Sequence, residues 1–425
     1  MRRLVPVISN QLGAVILGLV GVRLVSTYLR PDVYGAYALL LTLLPVGTML
    51  THCALLNHLA RNWQRESANG NGPTYLGFIW RNTWRSSVGL AILLAACGSF
   101  MAVSRQQSHW LAGVPAVFAA NLAVVFLGIA NFLFTAEERH WRVLAANLLL
   151  NTVRVLVPIL IYITFAPEIF SLTAGLFLFG IFGIVCLMPM FKQASTPAPG
   201  EILRWSNELR AYGRPFVLTG IGAWLLQSAD RWVVEQFFTS EEVGIFSLAS
   251  NIGGVIPALA VGALMQLSYP RFFREADQAT TIESWRHLRR YADQLTLSFL
   301  VLTIVGLLAL WWLAPFFVGK LIGIRYAASL PLVVPAGVAM LTGQINQFYY
   351  LILQGKHNSV GVAKVMLTVA SLKTLGSILA AWIAWPAFLA WLFVSAVFAI
   401  VIGRSMVWRL SGISADTAWG TTHRV

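Results

Sequence analysis

Long apolar runs separated by short polar segments cover almost the whole chain. Twelve such runs occur, at residues 6–29, 36–60, 84–104, 110–136, 142–165, 169–191, 211–238, 243–270, 289–316, 327–354, 359–384 and 387–409. Each run is close to the roughly 20 residues that an α-helix needs to cross a hydrocarbon core of about 30 Å. A transmembrane β-barrel would instead show short segments of alternating hydrophobicity. The pattern therefore predicts an all-α polytopic membrane protein with about twelve transmembrane helices.

A polar segment containing proline divides the apolar runs into two sets of six. Residues 193–210 are predicted to form a cytoplasmic linker between an N-terminal lobe, residues 1–192, and a C-terminal lobe, residues 211–410. Residues 411–425 are predicted to form a cytoplasmic tail. Because six is an even number, both lobes run in the same direction through the membrane, so we expect two pseudo-symmetric six-helix lobes around a central cavity.

Matching residues indicate that the lobes are repeats. Arg23 and Gly35 end the first apolar run and open the second. Arg231 and Gly244 stand at the corresponding places in the C-terminal lobe, near a spacing of 209 residues. The duplication predicts that functional residues occur in pairs, one from each lobe.

The composition and the charge distribution support a membrane protein. The chain has 425 residues, of which 58% are hydrophobic and only 11% charged, whereas soluble domains carry about 25% charged residues. The net charge of +14 could suggest nucleic acid in a soluble protein. Here most Lys and Arg residues fall on the predicted cytoplasmic side, so we predict no nucleic-acid partner and both termini in the cytoplasm.

The segments between the apolar runs leave no room for a catalytic domain. The predicted outer segments are as short as 30–33, 167–168, 239–242 and 385–386, and the longest cytoplasmic ones lie near 61–83, 192–210 and 271–288. Cys53, Cys97 and Cys186 lie within apolar runs and have no metal-binding spacing. The sequence therefore predicts a protein that is not an enzyme, with no catalytic residues and no metal site.

Charged residues within the apolar runs are the candidates for function, since a charge at the bilayer centre costs about 2.5–3.5 kcal/mol on insertion scales. The candidate substrate-binding cations are Arg23, Arg154, Arg231 and Lys373. Candidate supporting polar residues are Asn147, Asn151, Gln227, Ser228, Gln344 and Gln347. Helical spacing places several of them in polar stripes, which predicts an internal hydrated cavity rather than a lipid-facing surface.

Asp230 and Glu235 are candidates for coupling to H⁺ or Na⁺. Because cations outnumber acids, the predicted cavity is net positive, which suits an anionic substrate, and the arginine fork suits phosphate oxygens. An amphiphile would keep its tail in the lipid. Structural roles stay open, because Arg231 could pair with Asp230 or Glu235, and Arg23 could extend to the membrane interface.

Several motifs resemble those of the bacterial polysaccharide-transporter flippases of the multidrug/oligosaccharidyl-lipid/polysaccharide superfamily. They are Ser228-Ala229-Asp230-Arg231, Glu242-Val243-Gly244-Ile245-Phe246-Ser247-Leu248-Ala249, Tyr34-Gly35-Ala36-Tyr37, Tyr269-Pro270-Arg271 and Ile352-Leu353-Gln354-Gly355-Lys356. The likeness extends over nearly the whole chain. It implies a flippase of the bacterial inner membrane that moves undecaprenyl-diphosphate-linked oligosaccharides by alternating access, with basic residues meeting the diphosphate.

The same resemblance implies a role in O-antigen (lipopolysaccharide), capsule or exopolysaccharide synthesis. Its partners would be the undecaprenyl-diphosphate-linked glycan and membrane lipid, with a polysaccharide polymerase and a chain-length regulator as candidate protein partners. No cofactor is expected beyond a coupling ion.

Two other functions compete with this one. A drug antiporter of the same superfamily would need an acidic cavity for cationic drugs, whereas this one is predicted to be basic. A membrane-embedded polysaccharide polymerase or glycosyltransferase would need a long periplasmic loop, and the predicted outer segments are a few residues long.

Overall fold

The computed structural model describes residues 4–105, 108–317, 320, 322–356 and 358–412, so the predicted tail beyond residue 412 lies outside the described residues. Within these ranges the chain forms fifteen α-helices. They are α1 (Leu4–Tyr28), α2 (Pro31–Gly47), α3 (Cys53–Ala68), α4 (Gly72–Arg105), α5 (His109–Ala136), α6 (His140–Thr164), α7 (Ile169–Leu187), α8 (Pro199–Phe237), α9 (Ser240–Gly253), α10 (Val255–Asp277), α11 (Ile282–Phe317), α12 (Val333–Gln344), α13 (Gln347–Gly355), α14 (Ser359–Ile383) and α15 (Trp385–Ser411).

Ten helical stretches in the described part of the chain are long and apolar enough to cross a membrane. Two further transits are made by α1, whose apolar part Leu12–Tyr28 is shorter, and by the charged helix α8. The prediction of about twelve transmembrane helices is therefore confirmed. Three of the transits each consist of two consecutive helices, namely α2 with α3, α9 with α10, and α12 with α13.

The break between α2 and α3 is a π-helical turn, Thr48–His52. Pro45 lies just before it, and proline lacks the amide hydrogen that would continue the regular hydrogen-bond ladder. Asn121 of α5 donates to the Leu44 carbonyl oxygen at 2.6 Å, so a side chain of α5 binds the backbone beside the break. Turns of this kind are frequent at functional sites.

Helices extend into segments that the sequence suggested were loops. Within 61–83, α3 continues to Ala68 and α4 begins at Gly72, and within 271–288, α10 ends at Asp277 and α11 begins at Ile282. The linker segment 193–210 is helical from Pro199 onward. Apolar runs mark only the part of a helix that lies in lipid, whereas polar turns outside the membrane keep the same backbone hydrogen bonds.

We call α1–α7 the first lobe and α8–α15 the second lobe. The linker end of the bundle carries residues 188–198, and the far end carries the connections α1–α2 and α8–α9. Towards the linker end α3 packs against α8, and Arg204 donates to Glu66 at 2.8 Å while Arg65 donates to Glu208 at 3.1 Å. Burial raises the pKa of the Glu66 carboxyl, but hydrogen bonds from Asn71 and Arg65 and the charge of Arg204 outweigh it and keep the pKa below its usual value. Glu66 therefore stays charged at neutral pH and ties the lobes together.

At the far end the lobes meet through a reciprocal contact between α2 and α9. A side chain at Gly35 would overlap the carbonyl oxygen of Ser240, the first residue of α9. A side chain at Gly244 would overlap the carbonyl oxygen of Pro31, the first residue of α2. Both pairs of equivalent residues are 209 positions apart, so each lobe presents the same surface to the other. This contact closes the space between the lobes at the far end.

Gly244→Ala is expected to open the far end. The added methyl group meets a backbone carbonyl that cannot rotate away, and such overpacking costs roughly 1–3 kcal/mol. A two-state equilibrium would shift about 5- to 150-fold toward the open form. In a background without the native cysteines, Leu248→Cys on α9, buried in the closed form, reports access to a membrane-impermeant maleimide added from the far side.

The matched control is Gly89→Ala on α4, where an added side chain meets nothing within 4 Å. Labelling of the cysteine at position 248 should rise in the Gly244 variant and stay at the parental rate in the Gly89 variant. Equal labelling in both variants would show that the α2–α9 contact does not seal this end.

Candidate functional site

A cavity of about 620 Å³ lies between the two lobes. The first lobe lines it with α1, α2, α5 and α6, and the second lobe lines it with α8 and α9. Most of the wall is aliphatic. Its polar side chains are Tyr34, Tyr37, Thr48, Arg154, Gln227 and Asn251. Among the described residues no carboxylate lines this cavity.

Arg154 is the cation of this wall. It lies on α6, and its side chain is exposed to the cavity. In the described part of the chain it forms no ion pair, and the Tyr37 hydroxyl is an ionisable group that acts on it electrostatically. One turn further on, Pro158 packs against α7 at Gly175, where a side chain would overlap the proline. This close packing fixes α6 and so holds the guanidinium in the cavity.

Of the two asparagines predicted beside Arg154, Asn147 joins α5 to α6 and Asn151 bonds within α6. Asn131 of α5 donates to the Asn147 side-chain oxygen at 2.9 Å, and Asn151 donates to the Asn147 carbonyl oxygen at 2.8 Å. Both predicted residues are half-buried and lie away from the cavity wall. Their stripe on α6 therefore supports the helix that carries Arg154.

Arg231 lies on α8, behind the cavity wall. One of its terminal nitrogens lies 3.5 Å from the Asn251 side-chain oxygen. Its Nε is buried and has no hydrogen-bond partner among the described residues. The structural alternative from the sequence, an ion pair of Arg231 with Asp230 or Glu235, is not formed in this conformation, because both acids bind other groups.

Lys373 and Asp230 form a buried ion pair within the second lobe. Lys373 Nζ lies 2.6 Å from Asp230 Oδ2 and donates to the Leu226 carbonyl oxygen at 2.8 Å. Ser377 donates to the other Asp230 oxygen at 3.0 Å. Lys373 is only 3% exposed and borders a separate crevice of about 160 Å³ between α14 and α15. The structure thus does not bring Lys373 into the cavity with Arg154.

The other predicted residues are dispersed. Gln227 lines the cavity beside Arg154, and Ser228 next to it is buried within the second lobe. Glu235 accepts from the Ser240 hydroxyl at 3.1 Å, at the start of α9. The half-buried residues Arg23 of α1, Gln344 of α12 and Gln347 of α13 lie away from the cavity wall.

Sequence reasoning missed neutral residues of the site, above all Tyr34, Tyr37 and Asn251. Asn251 donates to the Tyr34 hydroxyl oxygen at 2.7 Å, which joins α9 of the second lobe to α2 of the first. A usable signal existed for Asn251, which follows Gly244 by two helical turns and so lies on the same helix face as that close-packed glycine. Tyr34 and Tyr37 lie one position before and two positions after Gly35, on other faces of α2, so the same argument does not find them.

The fold of this chain is similar to the folds of solved membrane transport proteins. One is an inward-facing multidrug resistance MATE family transporter of the MOP superfamily, with 13% identity and a TM-score of 0.66 over 94% of this chain and 96% of that one. Another is the lipid II flippase MurJ in an inward closed conformation, with 11% identity and a TM-score of 0.64 over 96% of this chain and 87% of that one. An outward-facing MATE family transporter matches at 13% identity with a TM-score of 0.56, over 96% and 95% of the two chains.

The family is defined by sequence. A family profile described as "Polysaccharide biosynthesis protein" matches residues 5–275. The chain belongs to this family, which confirms the resemblance found from the motifs. No curated protein is significantly similar to the chain in sequence.

Proposed function

We propose that the protein is a flippase that moves undecaprenyl-diphosphate-linked oligosaccharide across the bacterial inner membrane by alternating access. The observation that carries the proposal is Arg154, a cation without an ion-pair partner among the described residues, on the wall of a cavity that no described carboxylate lines. A charge within the membrane-spanning part of a protein is costly unless a partner or a ligand compensates it. The translocated lipid-linked oligosaccharides would enter O-antigen, capsule or exopolysaccharide synthesis.

The cavity suits the head group of such a lipid. A diphosphate accepts bidentate hydrogen bonds from a guanidinium fork, so Arg154 can hold it in a fixed orientation. Tyrosine hydroxyls and the amides of Gln227 and Asn251 offer donors and acceptors to sugar hydroxyls. Pockets of about 300–1,000 Å³ hold ligands of small-molecule size, so a cavity of about 620 Å³ encloses the diphosphate and the first sugars.

The side of loading follows from charge and packing. Basic residues concentrate at the linker end, which the positive-inside rule assigns to the cytoplasm, with both termini on that side. The far end is closed by the α2–α9 contact, so the cavity would receive its substrate from the cytoplasmic leaflet, past the α3–α8 contact at the linker end.

A drug antiporter is the second candidate, favoured by the names of the multidrug transporters that share the fold. Cationic drugs need a carboxylate in the binding cavity, and here Asp230 binds Lys373 and Glu235 binds Ser240. These two acids stay candidates for coupling to H⁺ or Na⁺. The short connections outside the membrane favour transport over a polymerase or glycosyltransferase, and a polymerase and a chain-length regulator would act on the translocated product.

Reconstituted vesicles test the proposal. We expect the purified protein to move a fluorescent undecaprenyl-diphosphate oligosaccharide between leaflets, and we expect undecaprenyl diphosphate without sugar to compete because it shares the anion. Ethidium serves as the cationic control and should not be transported. Transport of ethidium with no movement of the lipid-linked sugar would contradict the proposal and favour the antiporter.

A further inference from the structure

Two arginines each act on one of two neighbouring tyrosines. Tyr34 and Tyr37 lie one turn apart on α2, and their side chains are buried. Arg154 acts electrostatically on Tyr37, and Arg231 acts on Tyr34. Arg154 belongs to the first lobe and Arg231 to the second, so the two cations move with different lobes.

The two arginines lie at different depths. Arg154 precedes the last residue of α6 by ten positions, and Arg231 precedes the last residue of α8 by six. Both helices end at the far end of the bundle. With a rise of 1.5 Å per residue, Arg154 lies about 15 Å and Arg231 about 9 Å from that end. Arg231 is therefore nearer the side to which the substrate leaves.

Arg231 has a hydrogen-bond donor that is available to an anion. Its Nε is buried and has no partner in the described part of the chain, and its one hydrogen bond, to Asn251, is long at 3.5 Å. Neither neighbouring acid forms an ion pair with it, because Asp230 pairs with Lys373 and Glu235 accepts from Ser240. A guanidinium with a buried, unsatisfied donor binds an anion more strongly than one already paired.

Asn251 stands between the cavity and Arg231. Its amide nitrogen donates to the Tyr34 hydroxyl oxygen at 2.7 Å, while its amide oxygen faces Arg231. Asn251 also lines the cavity. The hydrogen bond joins the two lobes just below the contact of Gly35 with Gly244, so separation of the lobes at the far end must break it.

We propose that Arg231 is a second anion-binding station, shut off from the cavity by the Tyr34–Asn251 bridge, and that the substrate diphosphate passes from Arg154 to Arg231 when this bridge opens. The inference rests on the proposed function. Opening frees the Tyr34 hydroxyl and the Asn251 amide, and both then donate to phosphate oxygens beside the guanidinium. A diphosphate carries enough acceptor oxygens to contact both arginines during the transfer.

The test separates binding from release. For Arg231→Gln we expect undecaprenyl diphosphate to bind in detergent within about twofold of the parent, because Arg154 holds it in the closed form. Transfer of the lipid-linked oligosaccharide to the far leaflet should fall at least about tenfold, the effect of one lost charge-assisted hydrogen bond. Arg231→Lys keeps the charge and should retain more transfer than Arg231→Gln.

Tyr34→Phe removes one atom, the hydroxyl oxygen that accepts the hydrogen bond from Asn251. We expect the cysteine of a Leu248→Cys variant to become several-fold more reactive toward maleimide from the far side, because the bridge no longer holds the lobes. A purely structural role for Arg231 would lower binding, transfer and thermal stability together. Normal transfer in the Arg231→Gln variant would contradict the proposal that Arg231 is a second anion-binding station.

The proposed function and the second station fail in different ways. If the parent protein neither binds undecaprenyl diphosphate nor moves the lipid-linked sugar, the proposed function is wrong. If the parent protein and the Arg231→Gln variant bind undecaprenyl diphosphate and move the lipid-linked sugar equally well, the proposed flippase function is supported. Only the proposal of a second anion-binding station is then wrong.

Discussion

Replacing Arg154 with Gln is expected to lower transfer of the lipid-linked oligosaccharide by about 10- to 150-fold. Hydrogen bonds to a charged group contribute about 1.5–3 kcal/mol, and every 1.4 kcal/mol is a factor of ten. Because Arg154 makes no ion pair within the described structure, its removal leaves no buried carboxylate unpaired. The protein should therefore keep its thermal stability in detergent, and binding of undecaprenyl diphosphate should weaken together with transfer.

The matched control for Arg154 lies on the same helix. Arg142 is exposed near the linker end of α6, outside the cavity. Arg142→Gln removes an equal charge from the same helix and should leave binding and transfer close to the parental values. Equal losses in the two variants would mean that net charge, and not the cavity cation, determines transport.

Lys373→Met is expected to destabilise the protein strongly. It removes the partner of Asp230, which is 6% exposed and would remain as an unpaired buried charge. Breaking a buried ion pair in this way costs about 3–5 kcal/mol. Thermal unfolding of the purified protein in detergent should show a large decrease in midpoint temperature relative to the parent.

A double variant distinguishes a structural role of the Lys373–Asp230 ion pair from a role in transport. Adding Asp230→Asn to Lys373→Met removes both charges, and the amide oxygen can still accept from Ser377. Since neutral replacement of a buried ion pair is often harmless, we expect most of the stability to return. Restored transfer would make the pair a structural element of the second lobe. A stable double variant without transfer would instead support the predicted roles of Lys373 in substrate binding or Asp230 in ion coupling.

The sequence was most informative where one physical effect dominates. Long apolar runs must be membrane helices, so the apolar pattern predicted the membrane-spanning segments. Polar helical extensions such as Gly72–Arg85 were missed, because a hydropathy pattern does not distinguish a polar helix from a polar loop. Arg154 and Lys373 looked alike as cations within apolar runs. Their environments differ because Asp230, 143 positions before Lys373, reaches only the latter. Pairing between distant helices is not visible in local spacing.

Neutral site residues are even harder to predict from the sequence than charged ones. Asn251 and Tyr34 are 217 positions apart, and each alone is an ordinary polar residue on a helix. Their hydrogen bond depends on the packing of α2 against α9. The glycines of that contact were noticed as repeat positions, but nothing in the chain order indicated that equivalent residues face each other.

The reciprocal contact at the far end has the form of an isologous interface. In such an interface the same patch serves both partners, as in a symmetric homodimer. Here Pro31 and Gly35 meet Ser240 and Gly244, which are their own counterparts in the second repeat. A single six-helix unit with this patch would bind a copy of itself in parallel orientation. Fusion of two such units through a short connection would preserve the interface, and each later substitution on one side would have to fit its counterpart on the other.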